Sequence, residues 1–172
     1  MDPHGNRRRP AGIVFTDIVG STVQLHRLGT ALWAPLQTAH FRQLELLVSQ
    51  YSGLLVETSG DGSLPVFARA TDGLLFARAA VTEPGGERIA LRASVHWGYV
   101  TKHPSASRLA GRAIHFAARI MRLVPGVGLC VSDDAKHQIE AESPDIAREA
   151  ESSPQDNCEL KGILGVHRVW LE

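Results

Sequence analysis

Two apolar segments of β-forming residues flank the sequence SGDG at residues 59–62, and this pattern limits the possible folds more than any other. Residues 54–56 and 64–67 form the two arms, and a glycine-containing turn between such arms is typical of a β-hairpin. Pro65 cannot donate a backbone hydrogen bond, so we expect it at a sheet edge or beside a bulge. A hairpin in the middle of the chain requires a fold that contains antiparallel strands.

Strand and helix patterns alternate on both sides of this hairpin. A short strand is predicted over residues 12–18, and apolar residues then recur at helical spacing over 25–50, with a break near Gly29. The later segments predict a helix over 71–81, a strand over 89–100, a helix over 112–123, a strand over 127–131, a helix to about residue 142, a polar loop over 143–157, and a closing strand pair from 160–162 and 166–171. This order predicts an α+β fold, a ferredoxin-like βαββαβ sandwich with helices over one sheet face and an additional C-terminal helix and strand pair.

The size and composition of the chain suit one soluble domain. It has 172 residues, of which 44% are hydrophobic and 21% charged. We assign residues 12–172 to this domain and the polar residues 1–11 to a disordered tail. The net charge is zero, which argues against nucleic acid or a polybasic membrane surface as a partner. Without a membrane-spanning stretch, a signal-peptide pattern or a disulfide framework, the cytoplasm is the expected compartment.

Two aspartates end neighbouring elements of the predicted sheet. Asp17 ends the first strand and Asp61 lies at the hairpin tip, so the fold would bring them together although each alone is explained as a helix-start or turn residue. Two close carboxylates repel, and a hard divalent cation such as Mg²⁺ relieves that repulsion. The following residues, Gly20, Ser21 and Thr22, place backbone N–H groups at a helix start, which attracts phosphate. The pair predicts a metal site beside a phosphate site.

Six segments of the sequence resemble one known family in order and spacing. FTDIVGST (15–22) and TSGDGSLPVF (58–67) are similar to the two metal motifs of class III adenylate and guanylate cyclase catalytic domains. The segments that follow in the order of that family are LRASVHWGYV (91–100), GRAIHFAARI (111–120), LCVSDDA (129–135) and LKGILGVHRVWL (160–171). The resemblance covers nearly the whole chain, from about Gly12 to Leu171.

This resemblance implies a reaction and an assembly. Family members convert a nucleoside triphosphate into a 3′,5′-cyclic monophosphate and pyrophosphate, which makes them phosphorus–oxygen lyases. Two Mg²⁺ or Mn²⁺ ions would be held by Asp17, Asp61 and the carbonyl of Ile18. Arg119 matches the transition-state arginine and Lys161 a lysine that binds triphosphate, although a surface arginine and a turn lysine remain alternatives. The resemblance also implies a homodimer whose sites form between the protomers.

Three positions depart from the family's adenylate cyclase pattern. Glu57 replaces a lysine that contacts adenine, and a carboxylate complements the N1–H and 2-amino donors of guanine. Arg108 lies where the family reads the other base edge, and it could donate to guanine O6. GTP is therefore slightly favoured over ATP, unless Glu57 and Arg108 pair with each other or Arg108 faces solvent. His115 replaces a ribose-binding asparagine, so it is assigned to the catalytic set with a reduced rate.

The same substitutions support a second hypothesis, in which the chain is a catalytically weak or inactive cyclase-fold module that binds nucleotide or dimerises. A polymerase or a dinucleotide cyclase of palm type would share the logic of two metals at a hairpin. The AAR sequence at residues 117–119 instead favours the mononucleotide cyclase family.

Overall fold

Eight strands form one mixed sheet in a computed structural model that describes residues 8–82, 89–102, 109–149 and 152–172. The strands are β1 (Arg8–Ile18), β2 (Leu54–Ser59), β3 (Gly62–Phe67), β4 (Leu91–Lys102), β5 (Leu109–Ala110), β6 (Gly128–Ser132), β7 (Ser153–Glu159) and β8 (Val166–Leu171). Their order is β2-β3-β1-β4-β6-β8-β7, and β5 pairs with β4 beside this path. Only β4 and β6 run parallel among the paired strands of the described residues. This arrangement confirms the predicted α+β class.

The helices cover both faces of the sheet. They are α1 (Ser21–Leu28), α2 (Thr30–Gln50), α3 (Ala70–Thr82), α4 (Arg112–Ile120), α5 (Asp133–Glu142) and α6 (Pro144–Arg148). Val14 of β1 packs in a core with α2, α3 and α5, whereas its neighbour Ile13 packs with Ala117 of α4 on the opposite face. The expectation of helices over one face is therefore wrong for α4, which covers the opposite face. Alternate residues of a strand point to opposite faces, so β1 contributes to one core on each side of the sheet. No helix in the described ranges is both long and apolar enough to cross a membrane.

Strand β1 begins earlier than the sequence predicted. Residues 8–11 were expected in a disordered tail, but they continue β1 and pair with the long strand β4, from Arg8 opposite Thr101 onward. Ala11 is buried, and the guanidinium of Arg8 lies 5.5 Å from the centre of the Tyr99 ring. These partners order a segment whose composition alone looks like a tail. The rest of the expected tail, residues 1–7, lies outside the described residues.

The C-terminal strand pair also differs from its prediction. Residues 143–157 were expected as a loop, but they contain α6 and most of β7. The closing pair is β7 with β8, and Lys161 lies in the turn between them rather than in a strand. Strand β7 lies at the sheet edge, and every residue except Cys158 is exposed. An edge strand of this kind lacks the alternation of apolar residues by which a sequence reveals a strand.

The predicted hairpin forms from β2 and β3 and presents its tip to one end of the sheet. The pairing shifts register between Leu55 and Glu57, directly opposite Pro65. Strand β3 lies between β2 and β1, so Pro65 is beside a bulge and not at an edge. Gly60 adopts a φ of 61°, which lets the four-residue turn close and carry Asp61 toward β1.

Candidate active site

Asp17 and Asp61 meet where β1 passes the hairpin turn. Asp17 is the register partner of Gly62, and the Ile18 N–H donates to the Asp61 carbonyl at 3.2 Å. The amide of Gln37 on α2 donates to the Gly60 carbonyl at 2.7 Å and so ties the turn to the helix layer. The structure thus brings together the two aspartates that the sequence placed on separate elements.

Each of the two aspartates accepts a side-chain hydrogen bond on one carboxylate oxygen, and the two donors come from two other elements, β4 and α1. The Arg92 guanidinium on β4 donates to Asp17 Oδ2, from Nε at 2.8 Å and also from Nη2. The hydroxyl of Ser21, the first residue of α1, donates to Asp61 Oδ2. Gly20 precedes it with a φ of 69°, a left-handed turn that joins β1 directly to α1. We name Asp17, Asp61, Arg92 and Ser21 the acidic end of the site.

The acidic end carries unfavourable negative charge in the folded protein. Burial raises the pKa of Asp17, hydrogen bonding to the Arg92 guanidinium lowers it, and the negative charge of Asp61 raises it again, with a raised pKa as the result. Within the described ranges, no group of three or more His, Cys, Asp or Glu side chains is arranged to hold a metal. Two carboxylates are fewer protein ligands than a closed cage needs, and they suit a hard ion that keeps water or phosphate ligands.

A cleft of about 480 Å³ extends from the acidic end to α4. Asp17, Asp61 and Glu57 line one wall, and His115 with Arg122 lines the other. Thr16 and Ser63 close the floor, where their hydroxyl groups are 2.6 Å apart and buried. Polar and charged residues from β1, β2, the hairpin turn, α4 and the segment after α4 therefore share one concave space, as is usual for a small-molecule site.

The remaining predicted residues lie around this cleft or beyond the described chain. Arg119 is half-buried on α4 and outside the described lining of the cleft, and Lys161 is exposed in the β7–β8 turn. Thr22 is exposed in the first turn of α1, whereas the Ile18 side chain is buried. Arg108 lies outside the described residues.

Two cations near the cleft were missed by the sequence interpretation. Arg92 is the β4 residue directly opposite Asp17 on β1, and a register between distant strands is not visible in one sequence. The only signal was a charged residue between Leu91 and Ala93, both buried. Arg122 follows Arg119 by three residues, so helical spacing alone could have placed it near the same surface.

Comparisons with known proteins agree on the fold. Neither a protein-family model nor a curated protein matches the sequence significantly. Among solved structures, the guanylate cyclase domain of RhGC from Catenaria anguillulae in complex with GTP is 22% identical, with a TM-score of 0.80 over 96% of this chain and 97% of that chain.

Two further structures give the same result. The adenylyl cyclase CyaB from P. aeruginosa is 15% identical, with a TM-score of 0.78 over 96% of this chain and 94% of that one. The non-canonical dimeric guanylyl cyclase domain of the RhoGC fusion protein from Blastocladiella emersonii is 18% identical, with a TM-score of 0.77 over 96% and 97%. The chain has the fold of class III adenylyl and guanylyl cyclase catalytic domains, which confirms the similarity expected from the sequence motifs.

Proposed function

We propose that the protein is a nucleotidyl cyclase that forms a 3′,5′-cyclic nucleotide and pyrophosphate from a nucleoside triphosphate. The observation that carries this proposal is the acidic end, where Asp17 and Asp61 meet at one end of a cleft in a cyclase fold. In the reaction, the 3′-oxygen of the ribose forms a bond to the α-phosphorus, and the bond from that phosphorus to the pyrophosphate leaving group breaks. The proton of the 3′-hydroxyl leaves to water or to a basic group of the site.

The donor set at the acidic end fits divalent cations. Asp17 and Asp61 offer hard oxygen ligands, and the negative charge of Asp61 is, after burial, a cause that raises the pKa of Asp17. We assign Asp17, Asp61 and the carbonyl of Ile18 as ligands of two Mg²⁺ or Mn²⁺ ions. When bound, such ions lower the pKa of the attacking hydroxyl and neutralise the triphosphate.

The start of α1 and several cations would bind the triphosphate. Since the Ser21 hydroxyl is engaged with Asp61, the backbone N–H groups of Gly20, Ser21 and Thr22 are the phosphate donors we expect there. Arg119 would stabilise the charge that develops in the transition state, and Lys161 would contact the phosphates. His115 would bind the ribose.

In a homodimer, Arg119 and Lys161 would become part of a complete site. Arg119 and Lys161 lie outside the described lining of the cleft that contains the acidic end of their own chain. We propose that each protomer supplies its acidic end to one site and its α4 and β7–β8 turn to the other, as twofold symmetry allows. With this activity the protein would work in the cytoplasm, where nucleoside triphosphates are available.

Glu57 supports a slight preference for GTP over ATP. Its side chain is half-buried and lines the cleft, where a carboxylate can accept from the N1–H and 2-amino groups of guanine. We expect Glu57→Lys to lower the ratio of GTP to ATP turnover by at least about tenfold, because a base edge that faces the wrong charge is rejected strongly. Glu140→Lys, at an exposed position of α5, is the control and should leave the ratio unchanged. An unchanged ratio in Glu57→Lys would remove this residue from base recognition.

Product formation from purified protein tests the proposal directly. Incubation with GTP, ATP, CTP or UTP and Mn²⁺ should release a cyclic nucleotide and pyrophosphate, and EDTA should abolish both. Failure with all four nucleotides would reject the cyclase activity. His115, which cannot reproduce the donor and acceptor pair of an amide, favours the inactive module as the second candidate. That module would show thermal stabilisation by nucleotide without turnover.

A further inference from the structure

The two carboxylates of the acidic end are held by donors of different charge. A neutral hydroxyl, that of Ser21, holds Asp61, whereas a full positive charge on Arg92 holds Asp17. Both nitrogens of the guanidinium that reach Asp17 bond the same oxygen, Oδ2. The other oxygen, Oδ1, points to the hairpin side, where a Cβ on Gly62 would lie 4.0 Å away.

This geometry puts a protein cation on one of the two carboxylates that we assign as metal ligands. An arginine is always protonated and cannot lose its charge to make room for a metal ion. The Arg92–Asp17 pair is also shielded, since the side chains of Arg92 and Asp17 are 32% and 14% exposed. Solvent therefore screens the pair less than it would an ion pair on the open surface.

We propose that Arg92 is a stand-in cation, which neutralises the charge of Asp17 before metal binds and competes with the metal for that carboxylate. The inference rests on the proposed function, because it takes Asp17 and Asp61 as the metal ligands. Arg92 is then a positioning residue whose charge sets how much metal the free protein binds. Metal occupancy would be weak until a triphosphate, which brings its own negative charge, joins the site.

Removing this charge should strengthen metal binding. A unit charge about 5 Å from a divalent ion opposes it enough, even in a watery environment, for about a tenfold change in affinity. We therefore expect Arg92→Gln and Arg92→Met to bind Mn²⁺ about tenfold more tightly than the unchanged protein, without nucleotide. Arg92→Lys keeps the charge and should bind Mn²⁺ like the unchanged protein. A role of Arg92 in merely orienting Asp17 would give the opposite sign, weaker binding in the Gln and Met variants.

The experiment is a calorimetric titration of the full-length protein with Mn²⁺ alone. The matched control is Arg78→Gln, since Arg78 makes a similar shielded pair with Glu172, at exposures of 24% and 16%, away from the cleft. This control should lose stability like Arg92→Gln but keep its Mn²⁺ affinity. Asp17→Asn should lose the binding and so assign it to this site. Arg92→Met keeps the aliphatic stem, and its unfolding temperature in EDTA checks that the variant is folded.

The outcomes separate this inference from the proposed function. Tighter Mn²⁺ binding in both uncharged variants supports it, including the case in which only those variants bind measurably. If the unchanged protein binds Mn²⁺ and the two uncharged variants bind it equally or more weakly, Arg92 does not compete with the metal. That result leaves the cyclase proposal standing. No binding in any variant overturns the inference, and the product assay then decides the cyclase proposal independently.

Discussion

The two ends of the cleft differ in how far one chain completes them. At the acidic end, Asp17 and Asp61 are half-buried and each accepts a hydrogen bond from a side chain of another element. At the α4 end, His115 is exposed and Arg119 half-buried, and neither side chain forms a hydrogen bond or an ion pair with another described residue. The fold of one chain therefore holds the side chains of the acidic end in place, whereas the functional side chains at the α4 end are not held by hydrogen bonds within the described residues.

This difference has a physical meaning for catalysis. Electrostatic stabilisation is effective when the charged groups are oriented before the reaction, because reorientation during the reaction costs free energy. The acidic end already meets this condition in one protomer. The α4 end would meet it only against a second surface, and the homodimer that we propose supplies one. Variants at the two ends should therefore behave differently, alone and in mixture.

The largest expected effect is at the acidic end. Asp17→Ala and Asp61→Ala should each lower the turnover number by about a thousandfold or more, because each removes a carboxylate that we propose as a ligand of the ions that activate the nucleophile. Turnover is measured as cyclic nucleotide formed in saturating Mn²⁺ and nucleotide. Asp145→Ala is the control, since that carboxylate is exposed and pairs only with Arg148 among the described residues. Near-normal turnover in either cleft variant would show that this carboxylate is not needed for catalysis.

Mixing variants from opposite ends is the next test. Arg119→Ala should lower turnover by about a hundredfold or more, as for loss of one transition-state donor. If the two ends of a site come from different protomers, an equal mixture of Asp17→Ala and Arg119→Ala has one intact site in each mixed dimer. Random exchange then restores about a quarter of the normal activity. A mixture no more active than its components would show that each chain completes its own site.

His115 should give a smaller effect of the opposite sign. Asparagine offers a donor and an acceptor to the ribose from one amide group, whereas the two ring nitrogens of His115 point in different directions and cannot both reach it. We expect His115→Asn to raise turnover by about tenfold, an increment within what one transition-state hydrogen bond contributes. The control is His137→Asn, an exposed histidine on α5. A fall in turnover would instead make the imidazole a working part of the site.

The sequence revealed the acidic pair because local patterns were enough. The apolar arms around SGDG predicted the hairpin, and the alternation of strands and helices placed that hairpin beside β1. Asp17 and Asp61 follow from those two steps. The role of Arg92 could not follow, because it depends on the register between β1 and β4, which are separated by more than 70 residues.

Elements without an apolar face also escaped prediction. Strand β7 has the sequence SPQDNCE, which has no alternation of apolar residues, and only its pairing with β8 identifies it as a strand. Arg8 begins β1 in the same way, through backbone pairing that composition does not encode. At the α4 end, only the family resemblance pointed to His115 and Arg119. In our proposal the surface that would orient them belongs to a second protomer, which the sequence of one chain does not reveal.

The smallest effect concerns stability at acid pH, and it also distinguishes the two ends. His96 lies on β4 beneath α4, where its ring is 4.5 Å from that of Phe116 and its Nδ1 is 2.8 Å from the Ser132 hydroxyl. Burial lowers the pKa of His96 to about 4, from the usual 6.5. Between these values the unfolded chain binds a proton that the folded protein does not. The free energy of unfolding should therefore fall, by about 3 kcal/mol in total, as the pH drops from about 6.5 to about 4.

The acidic end should respond with the opposite sign. Because the pKa of Asp17 is raised in the folded protein, this group stabilises the fold when it is protonated, and that contribution is lost as the pH rises. Urea unfolding in EDTA across this pH range would separate the two terms. His96→Gln should flatten the loss of stability on acidification, whereas Asp17→Asn should steepen it. If the free energy of unfolding of His96→Gln falls with acidification as steeply as that of the unchanged protein, His96 does not cause this pH dependence. The two ends of the cleft would then not differ in this respect.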